Sequence, residues 1–253
     1  MPPSSFLRMG IDYIATTVEQ TAAFTAAVSA PGALTRRVPS CPEWTVADLV
    51  AHLGEVQTWW EHGLRSAGLV PDEAVVAELA EPGADLLAWW RSRSASFLGT
   101  LRATPPDSAS WCWWSDNKLT SAAEVAERQA HEVLIHRWDA ENALGAAAPL
   151  DPALAADGVR EFLQRFLWGK PWSGPEGLVR LRASDTGDEW DVALRSAQPR
   201  RVPVYPEVPA SAVVNGTAEQ LDLVLWRRIP LTALAVEGEV ELVDALVSWT
   251  SLD

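Results

Sequence analysis

The chain has 253 residues, 48% hydrophobic and 21% charged, which is material for one large or two ordinary domains with buried cores. Twenty Lys and Arg against 34 Asp and Glu give a net charge of −14, and with no basic run this argues against a nucleic-acid or anionic-membrane partner. No apolar stretch reaches the roughly 18–20 residues of a membrane span, and the two cysteines, Cys41 and Cys112, exclude a disulfide framework or a zinc site built mainly of thiolates.

In chain order, Met1 to Arg8 lacks the charged-then-apolar pattern of a secretory signal, so the expected location is cytoplasmic. Residues 9–29 read as a helix with Ile11, Ile14, Val18, Ala22, Thr25 and Val28 on its inner face, stopped by Pro31-Gly32. A turn-rich stretch, Val38 to Trp44, leads to Thr45 as an N-cap with Asp48 in the capping-box position. The helix that follows carries Val46, Leu49, Val50, Leu53, Val56 and Trp60 and ends near Gly68. Residues 71–83 are a connection with room for a short helical piece. A third helix spans 84–102 through Leu86, Leu87, Trp90, Phe97 and Leu101, and residues 104–119 read as a long Trp-rich loop. Ser121 and Glu124 form a capping box for a fourth helix that runs to about Asn142. Four amphipathic helices with these connections predict a four-helix bundle.

After Gly145 to Pro149 the period changes. A helix over about 152–167 precedes alternating strands at 178–183 and 190–194, joined by the Asp185-Thr186-Gly187-Asp188 turn. Ala212-Val213-Val214 reads as a strand, Thr217 to Trp226 as a helix, and 239–249 as a last helix. The pattern is an α+β domain, and the boundary falls near residue 146, dividing 1–146 from 147–253.

Only four histidines occur: His52, His62, His131 and His136. Glu132 and His136 stand four residues apart on the fourth helix, about 40° apart around its axis, so both can grip one ion. His131 and His136 are about 140° apart and cannot easily do so. His52 lies mid-helix among residues that face the bundle core. Two imidazoles and one carboxylate would leave a divalent ion, zinc first among several, with open positions for water or substrate. Asp139 or Glu55 could orient a ligating imidazole.

Plainer readings stand beside this one. His52 can be a hydrogen-bonded core histidine, and Glu132 with His136 an exposed helix pair. His62 reads as a surface residue. The tryptophans at 59, 60, 89, 90, 111, 113, 114 and 138 read by default as packing, with a pocket wall as the alternative. Neither cysteine has a motif partner that would make it a nucleophile.

The stretch Val38-Pro39-Ser40-Cys41-Pro42-Glu43-Trp44-Thr45 through His52-Leu53-Gly54 resembles a signature of the mycothiol-dependent maleylpyruvate isomerase family. So does Glu132-Val133-Leu134-Ile135-His136-Arg137-Trp138-Asp139 with the family's E-x-x-x-H-R-x-D. Asn215-Gly216-Thr217 through Trp226-Arg227-Arg228 is similar to a third motif, in which Arg227 replaces the usual glycine. The resemblance implies a DinB-like four-helix bundle whose metal ligands are His52, Glu132 and His136. It also implies a small α+β domain similar to sterol-carrier folds, with an arginine implicated in activity at Arg228.

The chemistry implied is zinc activation of the mycothiol thiol for attack on an electrophilic small molecule. The outcome is either maleylpyruvate-type cis–trans isomerisation or thiol S-transfer, with Arg228 anchoring a carboxylate in a pocket between the domains. Arg91 and Arg137 are further candidate anchors. The rival readings are a hydrolase using a metal-activated water and a non-catalytic small-molecule binder.

Overall fold

The structure, a computed structural model, describes residues 7–8, 10–167, 171–195, 198–250 and 252. Residues 1–6, on which most of the targeting argument rests, lie outside them. The chain divides into two compact units, Met1–Ala148 and Pro149–Asp253.

In the first unit a short antiparallel pair, β1 (Leu7–Arg8) and β2 (Ile11–Asp12), leads into α1 (Tyr13–Val28). Asp12 caps that helix by accepting from the Ala15 amide at 3.0 Å. The inner face of α1 differs from the one its aliphatic residues suggest: the buried stripe is Tyr13, Thr17, Thr21, Phe24 and Val28. Ile14 and Val18 pack at its margin. Threonine can take an inward position because its hydroxyl bonds within the helix, as Thr17 Oγ1 does to the Tyr13 carbonyl at 2.6 Å.

The turn-rich motif folds as β3 (Arg37–Val38) and β4 (Cys41–Thr45), paired antiparallel. Thr45 closes a capping box at the start of α2 (Val46–Arg65), donating its amide to Asp48 Oδ2 at 2.7 Å. The Thr45 hydroxyl and amide bonds hold the Asp48 carboxyl below its usual range. A short α3 (Glu73–Ala80) and α4 (Leu86–Ala103) follow. The Trp-rich segment is not wholly irregular: β5 (Ala109–Trp111) and β6 (Leu119–Ser121) make a two-stranded ribbon within it. Ser121 and Glu124 cap α5 (Ala122–Ala143).

The helices α1, α2, α4 and α5 enclose two separate apolar clusters. One gathers Tyr13, Trp60, Leu64, Phe97, Leu101 and Val125. The other gathers Phe24, Val28, Leu49, Leu53, Trp90 and Val133.

In the second unit Asp151 caps α6 (Pro152–Arg165), with proline at the first turn. A meander follows, β7 (Gly177–Ala183), β8 (Glu189–Leu194) and β9 (Arg200–Val202). The chain then returns as β10 (Ala212–Gly216) parallel to β7, and continues through α7 (Ala218–Leu225), β11 (Ala235–Gly238) and α8 (Val240–Trp249). The sheet order is β11-β10-β7-β8-β9.

The alternation of β7 and β8 does not mark a solvent face. Arg180 and Asp191 sit opposite one another and are both buried, joined by two hydrogen bonds of 2.7 Å. The architecture is α+β, with a helical first unit. Among the described residues no helix is long and apolar enough to cross a membrane.

Candidate metal centre

Helix α5 is rich in charged residues yet buried on every side along most of its length, including Glu127, Arg128, His131, His136, Arg137 and Asp139. Buried ionisable groups persist only when paired or ligating. Each of these therefore requires an explanation.

Glu132 Oε1 lies 3.3 Å from His136 Nε2, one turn along α5, and 3.4 Å from His52 Nε2 on α2. One ligand atom from each of the three residues lies within 4.8 Å of the other two. The two imidazoles meet edge to face, with centroids 5.1 Å apart. The other carboxylate oxygen, Oε2, accepts a hydrogen bond from Arg128 Nη2, so Glu132 presents a single oxygen to the histidines. The His52 side chain is 32% exposed while His136 is 9% and Glu132 13%, so the cluster opens to solvent on the His52 side.

Two further residues orient the rings. His136 Nδ1 is 3.0 Å from Asp139 Oδ2, and Asp139 Oδ1 accepts from Ser40 Oγ at 2.7 Å. Trp44 packs on His52, with ring centroids 5.0 Å apart. Both Ser40 and Trp44 come from the β3–β4 segment, which explains why that turn-rich motif precedes α2.

Two groups of the cluster are shifted from their ordinary values by their neighbours. Burial opposes the charge on Glu132, but the Arg128 guanidinium and the two imidazoles outweigh it and hold the carboxyl well below its usual range. Burial likewise opposes charge on His136, but hydrogen bonds to Asp139 and Glu132 raise its pKa above the ordinary value.

A neutral His136 that gives its Nδ1 proton to Asp139 points the Nε2 lone pair at a carboxylate oxygen. That arrangement is repulsive unless a proton or a metal ion lies between them. The separations accommodate either one. Two ligands about 2.0–2.1 Å from a tetrahedral zinc stand about 3.3–3.4 Å apart. The donor set, two nitrogens and one oxygen with a fixed tautomer, suits a divalent ion with an open position.

The remaining candidates fall elsewhere. His131 is buried against Tyr13. His62 lies in the last turn of α2, half-buried, and Glu55 is exposed. Trp59, Trp60, Trp111, Trp113 and Trp114 form a chain of ring contacts that carries the ribbon segment onto the end of α2. Cys112 is buried with its sulfur 3.1 Å from Ser115 Oγ.

Arg91 is tied to Ser29, and Arg137 to Glu141 at 2.7 Å. Arg228 lies beyond α7 in the second unit, where its Nη1 donates to the Trp226 carbonyl at 2.8 Å. Sequence reasoning passed over Ser40, Trp44 and Arg128. Arg128 was within reach, being one turn before Glu132 on the same helix face.

Residues 14–141 match the family described as mycothiol maleylpyruvate isomerase N-terminal domain, and residues 153–245 the companion C-terminal domain. No curated protein matches the chain. Among solved structures, the chain is similar to the mycothiol-dependent maleylpyruvate isomerase H52A mutant at a TM-score of 0.63 and 16% identity, covering 90% of this chain and 93% of that one. A second structure of the mycothiol-dependent maleylpyruvate isomerase aligns at 0.59 and 16% identity, over 84% and 87% of the two chains. At that identity the likeness speaks for the fold, while the two family matches take in both units. The chain belongs to the mycothiol maleylpyruvate isomerase family.

Proposed function

We propose that the protein is a metal-dependent enzyme in which His52, Glu132 and His136 hold a divalent ion, zinc by preference, and mycothiol is the thiol of the reaction. The observation that carries this reading is the approach of two imidazole Nε2 atoms to one oxygen of Glu132, at 3.4 and 3.3 Å, in a chain of this family. Bound there, the ion would supply a Lewis acid that keeps a thiol ionised near neutral pH, and the thiolate is the nucleophile for addition to an electrophilic carbon.

The chain's own residues do the positioning. Asp139, itself held by Ser40, keeps the proton of His136 on Nδ1 and leaves Nε2 free to ligate. Arg128 occupies one oxygen of Glu132 and so fixes which oxygen faces the histidines. Trp44 covers one side of His52 and limits its rotation. Arg228, from the second unit, is the proposed anchor for a substrate carboxylate, because a guanidinium matches two oxygens at once. The substrate class is a small cis-unsaturated keto acid of the maleylpyruvate type, isomerised to its trans form. The same reading carries a cytoplasmic location.

The test is to incubate metal-loaded protein with mycothiol and maleylpyruvate and to weigh the products. A trans isomer of unchanged mass, formed only when the thiol is present, supports the proposal. A stable thiol adduct identifies an S-transferase, which keeps the metal–thiol chemistry and replaces the isomerase assignment. Fragments whose masses sum to the substrate plus one water, formed without thiol, overturn both in favour of hydrolysis. Arg228→Ala should retain the metal and chiefly lose turnover of carboxylated substrates.

A further inference from the structure

The interior of the helical unit is not apolar throughout. Its buried stripes run Tyr13, Thr17, Thr21, Phe24, Val28 on α1 and Leu49, Leu53, Gln57, Trp60, Leu64 on α2. On α4 the stripe is Trp90, Ser94, Phe97, Leu101, and on α5 it is Val125, Gln129, Val133, Ala140. These are spacings of three and four residues, with buried His136 standing between Val133 and Ala140, so each set lies on one helix face. Each stripe carries a polar residue between its two apolar ends, Thr21, Gln57, Ser94 and Gln129, and α1 and α5 carry Thr17 and His136 as well. On one side of those four the flanking residues belong to the cluster of Tyr13, Trp60, Phe97 and Val125. On the other side they belong to the cluster of Phe24, Leu53, Trp90 and Val133.

Gln57 and Gln129 are fully buried, and Ser94 and Thr21 nearly so. Six of their atoms have no hydrogen-bond partner among the described residues: Thr21 Oγ1, Ser94 Oγ and both amide atoms of each glutamine. Gln129 stands one turn before Glu132 on α5, and Gln57 lies five residues beyond His52 on α2, both displaced toward the same apolar cluster. Polar groups removed from water are satisfied by protein or by ordered solvent, because leaving this many unbonded would consume stability comparable to that of a whole domain.

The four side chains are neutral, offer donors and acceptors together, and stand between the two apolar clusters. They therefore suit a small uncharged ligand that both gives and takes hydrogen bonds. We propose that Thr21, Gln57, Ser94 and Gln129 bind a cluster of internal water molecules in the middle of the bundle, one turn beneath Glu132. Each internal water makes about three hydrogen bonds, so six groups call for about two waters. None of the four residues is a candidate metal ligand, and the inference stands apart from the metal reading.

The test uses the full chain and oxygen-17 water relaxation dispersion, which counts waters held for longer than the tumbling time. The unmodified protein is expected to lose about two such waters when Gln57→Met and Gln129→Met are combined, a near-isosteric change to apolar side chains. An identical dispersion amplitude in the two proteins overturns the proposal. Should the double variant fail to fold, a high-resolution crystal structure of the unmodified protein decides the matter. Ordered waters bonded to the Gln57 and Gln129 amides support the proposal. Amides bonded to each other or to the backbone, with no water between, overturn it.

Discussion

His136 Nδ1 lies 3.0 Å from Oδ2 of Asp139, one helical turn further along α5. Asp139 is fully buried and its second oxygen is occupied by Ser40, so it has little freedom to release the ring. The pair fixes the tautomer and the direction of the Nε2 lone pair. Asp139→Ala should therefore weaken metal binding by about 10–100-fold, the range found when a partner of a metal-bound histidine is lost. Competition against a chromophoric chelator measures this. Unchanged affinity would remove Asp139 from the account of the site.

The same groups set a pH dependence with opposite signs on its two sides. In metal-free protein the raised pKa of His136 adds stability that is fully present below its ordinary value of 6.5 and is lost as pH rises through the raised value. Glu132, depressed well below its ordinary value of 4.5, adds stability that is present above 4.5 and is lost as pH falls through the depressed value. Metal reverses the trend on the alkaline side, because a proton competes with the ion for His136 Nε2. Thermal melts with chelator and with zinc should show the zinc-induced rise in Tm growing from pH 6 to pH 8 in the unmodified chain and nearly absent from His136→Ala. A rise that shrinks over that interval would contradict the assignment of His136 as a ligand.

In the second unit the Arg180–Asp191 pair joins β7 to β8, and Arg180 Nη2 also donates to the Tyr205 carbonyl at 3.0 Å. Both side chains are almost wholly enclosed. Asp191→Ala leaves a buried guanidinium without its counter-charge and should destabilise the protein by about 3–5 kcal/mol, read by urea denaturation. A loss below about 1 kcal/mol, typical of an exposed pair, would show that water reaches the guanidinium.

Arg227 follows the last turn of α7 with a φ of +57°. That is the left-handed conformation in which α-helices commonly end, and here it ends α7. The strain is offset by the guanidinium, which donates to the carbonyls of Val247 at 2.9 Å and Ser248 at 3.3 Å at the end of α8. Arg227→Ala keeps the strain and loses those bonds, whereas Arg227→Gly loses the bonds and removes the strain. The glycine variant should be more stable than the alanine variant by about 1 kcal/mol, the reverse of the order in a helix interior. Parallel denaturation curves settle the order.

Much of the site was legible because it is written in helix geometry. A spacing of four places Glu132 and His136 on one face, and capping residues at Thr45 and Ser121 fix where α2 and α5 begin. Interactions that depend on tertiary approach were not legible. Ser40 reaches Asp139, and Trp44 reaches His52, only because β3 and β4 fold back beside α2, and two- to five-residue strands leave almost no periodic trace. The inner face of α1 was misread for a related reason. Its buried threonines carry hydroxyls that a hydropathy pattern counts against burial, although Thr17 satisfies its own within the helix. On β7, Arg180 reads as a solvent-facing position until its partner on β8 is known.

The central claim is that two imidazoles and one carboxylate share a single ion. Its most direct measurement is elemental analysis of the full chain purified without chelators, alongside His136→Ala prepared in the same way. The account predicts close to one divalent metal per chain in the unmodified protein and almost none in the variant. Negligible metal in both proteins, or equal metal in both, would contradict it.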